Sequence, residues 1–138
     1  MSEQNKSILQ RWFDEVWNKG NSEAINELIT DDIKIHGLTD VVGSPVTTAA
    51  EFRDYHAQLR KAFPDIVVTI DDIFAEGDKV VARCSIEASH TGELHGIAPT
   101  NAPVDFKGMA IVKVKNGKIV EAWNNFDFLK MSQQLGLI

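Results

Sequence analysis

The sequence predicts an α+β fold in which helices come first and a long antiparallel β-meander follows. Amphipathic helical patterns dominate the chain up to Pro64, whereas strands of alternating polarity dominate the rest. Runs of helices followed by runs of strands are typical of α+β proteins, because α/β folds alternate the two kinds of element. We therefore expect a curved sheet wrapped around the N-terminal helices, with a conical, ligand-sized cavity between them.

The composition, 43% hydrophobic and 25% charged residues, is typical of a globular protein, and the length of 138 residues indicates a single domain. A net charge of -6 and the lack of a dense Lys/Arg run argue against nucleic acid and anionic membranes as partners. The single cysteine, Cys84, excludes an intrachain disulfide and a cysteine-cluster metal site. Because neither a secretory signal nor a bilayer-spanning run is found, we expect a cytoplasmic protein.

Three helices are predicted before the sheet. A single apolar face defines the first: Ile8, Leu9, Trp12, Phe13, Val16 and Trp17. Gly20 is suited to end this helix, and Ser22 is expected to cap a short second one. Thr48 and Glu51 form a capping-box pattern that begins the third helix, which ends before Pro64.

The strands are predicted from period-two alternation. A short strand is expected over residues 31–37, before the third helix. Four long strands follow at residues 65–75, 80–90, 104–115 and 118–128. A loop rich in Gly and Pro covers residues 91–103, and Asn116-Gly117 is typical of a type I′ hairpin turn. A last short helix is expected over residues 129–136.

The final strand carries an aspartate between two phenylalanines. The period of two places Asp127 on one face with Trp123 and Asn125, whereas Phe126 and Phe128 point the other way. An aromatic ring, an amide and a carboxylate suit a pocket wall better than a dry core. Two interpretations of Asp127 stay open: a partly desolvated general acid or base, or the cap of the final helix.

Four further residues are candidates for contacts with a small molecule. His36 and His90 each end a strand, and both could hydrogen-bond a substrate carbonyl if they converge near Asp127. Tyr55 and Trp12 lie on apolar helical faces, so each packs in the core or lines the cavity. The histidines lack the tight spacing of a zinc site, and no phosphate loop, GxSxG or HExxH motif occurs. We therefore do not expect a metal site.

Three segments of the chain closely resemble the SnoaL-like polyketide cyclase (ester cyclase) family: "FPDIVVTIDDIFAEGDKVVAR", "HTGELHGIAPT" and "GKIVEAWNNFDFLKMSQQLG". The family belongs to the nuclear-transport-factor-two-like superfamily of cone-shaped, cystatin-like α+β folds. The resemblance implies ring closure by intramolecular aldol condensation without a metal or cofactor. It also implies that a pocket aspartate at the end of the last strand serves as acid/base, and Asp127 matches it in the "W…FD" pattern.

The chain departs from the family pattern just before this aspartate. Many relatives carry "EHWD" where this chain has "EAWN", with Ala122 and Asn124 at the changed positions. Both lie on the predicted face opposite Asp127, so we expect the pocket to be unaltered.

Three functional hypotheses follow. The leading one is a cofactor-free acid/base enzyme, such as a polyketide or ester cyclase, acting on an apolar carbonyl compound. The second is an isomerase or hydrolase of the same fold, since this superfamily hosts several reactions. The third is a non-catalytic binding or dimerisation module. In each case we expect a homodimer or higher oligomer through the sheet, where Val120, Phe126 and Phe128 could contact a second subunit.

Overall fold

The computed structural model describes residues 2–40 and 42–138 and confirms the α+β class. A π-helical segment, Trp12–Asn18, continues the first helix without a break. The helices are α1 (Ser2–Arg11), α2 (Ser22–Leu28), α3 (Ala49–Ala62) and α4 (Phe128–Gln134). The strands are β1 (Ile29–His36), β2 (Val67–Glu76), β3 (Lys79–Ser89), β4 (Pro103–Lys115) and β5 (Lys118–Phe126).

The five strands form one curved, unclosed sheet with the order β1-β5-β4-β3-β2. Strands β2 to β5 pair antiparallel, as the meander predicts, whereas β1 pairs parallel with β5 at the sheet edge. The predicted antiparallel arrangement thus holds for β2 to β5, and β1 adds one parallel pair at the edge. Its partner is the last strand of the chain, which runs in the same direction, and α3 and the meander supply the long connection that a parallel pair needs.

Local sequence signals explain most of the element boundaries. The capping box of α3 is confirmed: the Thr48 hydroxyl accepts the Glu51 N–H at 3.2 Å, and the Glu51 carboxylate accepts the Thr48 N–H at 3.1 Å. Helix α2 is capped by Asn21, whose side chain accepts the Glu23 N–H at 3.1 Å, so the prediction of Ser22 is off by one residue. The type I′ turn is confirmed by φ angles of 52° at Asn116 and 77° at Gly117.

The core lies between the helices and the inner, concave face of the sheet. Strand β3 shows this arrangement most clearly, because Val80, Ala82 and Cys84 alternate inward and are each 0% exposed. Burial raises the pKa of the Cys84 thiol to about 11, so it stays protonated and acts as a small core residue. Within the described ranges, none of the helices has the length and apolar character needed to cross a bilayer.

Candidate functional site

The position of the site depends on a β-bulge in β5. Lys113 of β4 pairs with Glu121, but the next residue, Val114, pairs with Ile119. Val120 is therefore an extra residue in β5, and the simple alternation fails at this point. As a result Ile119 and Ala122, three positions apart, both face inward.

A cavity lies between the inner face of the sheet and the apolar sides of the helices. Its volume is about 90 Å³ when counted as the space open to the centre of a water-sized sphere, and the cavity is partly open to solvent. Its wall is almost entirely aliphatic and aromatic; apart from two tryptophan indoles, the polar side chains are Tyr55 and Asn124. Across residues 2–40 and 42–138, no Asp, Glu, His, Lys, Arg or Cys side chain lines it.

The cavity opens beside the end of β5 and the start of α4. Most of its lining residues are buried, but five are only half-buried and mark the opening: Trp12, Ala122, Asn124, Phe126 and Phe128. These side chains are the part of the lining that solvent reaches most readily.

Asn124 is held in a fixed orientation at this opening. Its Nδ2 donates to the main-chain carbonyl of His36 at 3.0 Å. The next residue, Gly37, has φ of 81°, and a Cβ built there would lie 1.9 Å from the Asn124 carbonyl oxygen. Only glycine fits this close approach, which joins the end of β1 to the rim of the cavity.

Phe126 forms another part of the rim because β4 leaves room for its ring. Gly108 pairs with Phe126 across the two strands, and a Cβ at Gly108 would lie 2.3 Å from the ring. The ring also packs against Phe128 with centroids 6.1 Å apart, and Phe128 contacts Phe106 at 5.9 Å. These aromatic contacts tie the start of α4 to the sheet.

The prediction that Asp127 lies on the cavity wall is wrong. Strand β5 ends at Phe126, and Asp127 is the N-cap of α4, where its Oδ1 accepts the Lys130 N–H at 3.0 Å. The side chain is exposed and absent from the cavity lining. The helix-cap interpretation is thus confirmed, and the position of Asp127 gives no support to an acid/base role.

The two residues grouped with Asp127 also face away from the cavity. Trp123 and Asn125 lie on the outer face of the sheet, opposite Ile111 and Met109 of β4. Trp123 stacks on the imidazole of His36 at 5.6 Å, with 18° between the ring planes. The side chain of His36 is likewise outside the cavity, and its Nε2 lies 2.7 Å from Glu121 Oε2.

His90 is enclosed beneath the loop that follows β3. It is 1% exposed, packs against Phe63 at 5.4 Å and lies outside the cavity lining. Its Nδ1 accepts the Thr100 N–H at 3.3 Å, while the loop residue Asn101 donates its N–H to the His90 carbonyl. His90 therefore organises the loop, and the predicted convergence of His36 and His90 near Asp127 does not occur.

Trp12 and Tyr55, by contrast, both line the cavity. Among the half-buried residues of the lining, the sequence reasoning missed Ala122, Asn124, Phe126 and Phe128. A signal for them existed, because the Phe-x-Phe pair is the more apolar of the two alternating sets and belongs on the inner face. The expectation that Ala122 and Asn124 leave the pocket unaltered is accordingly wrong, since both side chains are part of its wall.

The described ranges contain no group of three or more His, Cys, Asp or Glu side chains arranged to hold a metal ion. The charged side chains near β5 are engaged on the outer face. There Lys79 lies over the Trp123 ring at 5.6 Å, and Glu121 contacts His36.

The comparisons with known proteins agree with this architecture. The family model for SnoaL-like polyketide cyclase matches residues 7–135. IdmH from Streptomyces antibioticus, a candidate polyketide cyclase, is 30% identical, with 96% of this chain and 99% of that chain covered and a TM-score of 0.81. A candidate polyketide cyclase from Bacillus cereus is 31% identical, with 98% and 82% covered and a TM-score of 0.81.

A more distant structure shares the fold alone. AclR from Streptomyces galilaeus, a candidate hydroxylase, is 24% identical over 99% of this chain and 83% of that chain, with a TM-score of 0.82. No curated protein sequence is significantly similar to the chain. The match over nearly the whole length shows that this chain belongs to the SnoaL-like polyketide cyclase family.

Proposed function

We propose that the protein binds an apolar, carbonyl-bearing small molecule in the cavity and promotes its ring closure. The family supports a cyclase-type function. The observation that carries the proposal is the cavity itself, which is apolar, open at one end and provided with two uncharged polar side chains, Tyr55 and Asn124. Such a wall suits a flexible hydrocarbon chain that bears few oxygens.

Ring closure in such a cavity depends mainly on how the substrate is folded. Holding the two reacting ends of one molecule together replaces a rare chain conformation with a populated one, which alone accelerates the reaction strongly. Aldol-type closure on a carbonyl compound stays our proposed reaction. Its acid/base group is not assigned to Asp127, because that carboxylate lies outside the cavity.

The same observation favours a second candidate, a non-catalytic carrier of apolar carbonyl compounds. Such a protein needs an enclosed apolar wall and a few fixed polar groups but no titratable side chain. The two candidates share the binding step and differ only in turnover. No residue in the wall favours an isomerase or hydrolase of the same fold over the cyclase.

The binding step is tested by a substitution that narrows the cavity and by a matched substitution on the outer face of the same strand. In Ala122→Phe, a ring is added at a half-buried rim position, whereas Asn125→Phe adds the same ring on the outer face as a control. We expect saturable binding of a neutral aminonaphthyl ketone dye to the wild type and the control, and its loss in Ala122→Phe. Equal binding by all three proteins would contradict the proposed site.

Turnover is tested with linear apolar keto compounds, whose conversion to cyclic products is followed by chromatography with mass detection. Product formation by the wild type and the Asn125→Phe control, but not by Ala122→Phe, is the expected result. Binding without any product would favour the carrier.

We further propose a homodimer through the outer face of the sheet, in which residues other than Phe126 and Phe128 form the apolar contact. Phe126 and Phe128 line the cavity, whereas an outer apolar row crosses neighbouring strands through Phe74, Val81, Ile111 and Trp123. Phe74 is 59% exposed and Ile111 is 37% exposed, which is costly unless a partner covers them.

A charge in the outer apolar row tests the proposed dimer. We expect Ile111→Lys to sediment as a monomer. Lys107→Ile, on the same face but outside the row, should sediment as a dimer like the wild type. A wild-type protein that is monomeric at high concentration would contradict the dimer.

A cytoplasmic location is a further prediction that rests on the sequence alone.

A further inference from the structure

Tyr55 is a polar group in an apolar wall. It lies on the inner side of α3, is 7% exposed, and packs edge-on against Trp17 at 6.3 Å and beside Phe52 at 6.1 Å. Its ring lines the cavity, and its hydroxyl makes no hydrogen bond to any of residues 2–40 and 42–138. The hydroxyl is not one of the fully enclosed, unpaired side-chain atoms of the described residues, so a small molecule can reach it and accept its hydrogen bond.

The hydroxyl is kept in its protonated form. Burial, and secondarily the negative charge of Asp40, raise the pKa of Tyr55 well above its ordinary value. The carboxylate of Asp40 is itself held in place, because its Oδ1 accepts the N–H groups of Val42 at 3.0 Å and Ser44 at 2.8 Å. Near neutral pH, Tyr55 can therefore donate a hydrogen bond but cannot act as a base.

The rest of the wall favours an uncharged ligand. Asn124 already uses Nδ2 to bind the His36 carbonyl, and the described residues place no cationic side chain in the lining. A carboxylate entering the cavity would lose its hydration without gaining a counter-charge, whereas a ketone would lose far less.

From these observations we propose that Tyr55 donates a hydrogen bond to the carbonyl oxygen of the bound molecule, and that the cavity selects neutral carbonyl compounds over carboxylates. This inference rests on the proposed function, since it assumes that the cavity is the binding site. It assigns to Tyr55 a role in specificity and in polarising the carbonyl group.

The test uses three related probes that differ only in one group. The first is the neutral ketone propionyl-dimethylaminonaphthalene, whose emission moves to longer wavelength when its carbonyl accepts a hydrogen bond. The second, dimethylaminonaphthalene, lacks the carbonyl. The third, dimethylamino-naphthoate, carries a carboxylate instead. Each is titrated into the wild-type protein and into Tyr55→Phe, which removes the hydroxyl and keeps the ring.

We expect Tyr55→Phe to weaken ketone binding about three- to tenfold, the effect of losing one hydrogen bond. The emission of the bound ketone should also move to shorter wavelength. Affinity for the probe without a carbonyl should be the same in both proteins, which shows that the variant folds and keeps its cavity. The carboxylate should bind the wild type at least about tenfold more weakly than the ketone, because its charge is desolvated.

The outcomes separate this inference from the proposed function. If the ketone binds both proteins with equal affinity and the same emission, the role of Tyr55 is overturned while the cavity remains the binding site. If the carboxylate binds as tightly as the ketone, the selectivity for neutral compounds is overturned. If no probe binds the wild type, the binding site itself is wrong, and the proposed function fails with it.

Discussion

The two faces of strand β5 carry different chemistry. The inner face presents Ala122, Asn124 and Phe126 to the cavity, with one amide and no charge. The outer face carries Glu121 and Trp123, which contact the imidazole of His36. The residues that are most reactive by type are thus concentrated outside the cavity. The comparison teaches that the direction of a side chain decides its role more than its chemical type does.

The largest expected effect comes from placing the same charge on either face. Asn124→Asp removes the hydrogen bond to the His36 carbonyl and places a half-buried carboxylate beside that carbonyl oxygen. We expect the two effects together to lower the free energy of unfolding by about 2–3 kcal/mol at pH 8. Asn125→Asp on the exposed outer face should change the stability by less than about 0.5 kcal/mol. Urea unfolding of the two variants measures the difference.

The pH dependence of Asn124→Asp follows from the same argument. Desolvation raises the pKa of the new carboxyl in the folded state above its unfolded value of about 3.9. Below the pKa of the unfolded state, the variant should therefore be nearly as stable as the wild type. It should lose stability as the pH rises from the pKa of the unfolded state to the higher pKa of the folded state. Equal losses for Asn124→Asp and Asn125→Asp at every pH would contradict the assignment of the two faces.

A smaller effect is expected from filling the space under the Phe126 ring. In Gly108→Ala the new methyl would meet that ring and the Asn125 carbonyl, so we expect a loss of about 1–2 kcal/mol and weaker binding of the ketone dye. Met109→Ala, on the outer face of the same strand, should leave dye binding unchanged. Thermal unfolding and dye titration together check this prediction.

The helix cap should contribute less still. Asp127→Ala removes the acceptor for the Lys130 N–H and should cost about 1 kcal/mol of stability. Asp127→Ser should recover most of this loss, because serine caps helices about as well. Dye binding should be the same in all three proteins. A loss of turnover in Asp127→Ser at full stability would instead restore the catalytic interpretation of Asp127.

The smallest expected effect concerns the outer face. The contact between His36 and Glu121 is exposed, so Glu121→Gln should change the unfolding free energy by about 0.5 kcal/mol or less. Neither dye affinity nor turnover should respond. A marked decrease in either would show that the outer face takes part in the function.

Much of the fold could be predicted from the sequence because its signals are local. The capping box at Thr48 and the Asn116-Gly117 turn each act within a few residues, and both are confirmed. The parallel pairing of β1 with β5 joins Ile29 to Ile119 across α3 and the whole meander, and no local pattern encodes it.

The site was harder to predict for the same reason. Alternation groups Ala122, Asn124 and Phe126 on one face of β5, but the bulge at Val120 interrupts the count and hides the fact that Ile119 shares that face. The end of β5 at Phe126 then converts Asp127 from a strand residue into a helix cap. Trp12 and Tyr55 were placed correctly because amphipathic helices have only one apolar side to bury.

The most direct test of the central claim, that the cavity on the inner face is the binding site, follows the indole N–H signals of the three tryptophans by NMR. Trp12 and Trp17 line the cavity, whereas Trp123 lies on the outer face. On titration with the ketone dye, the signals of Trp12 and Trp17 should shift and that of Trp123 should stay in place. A shift of the Trp123 signal alone would contradict the account.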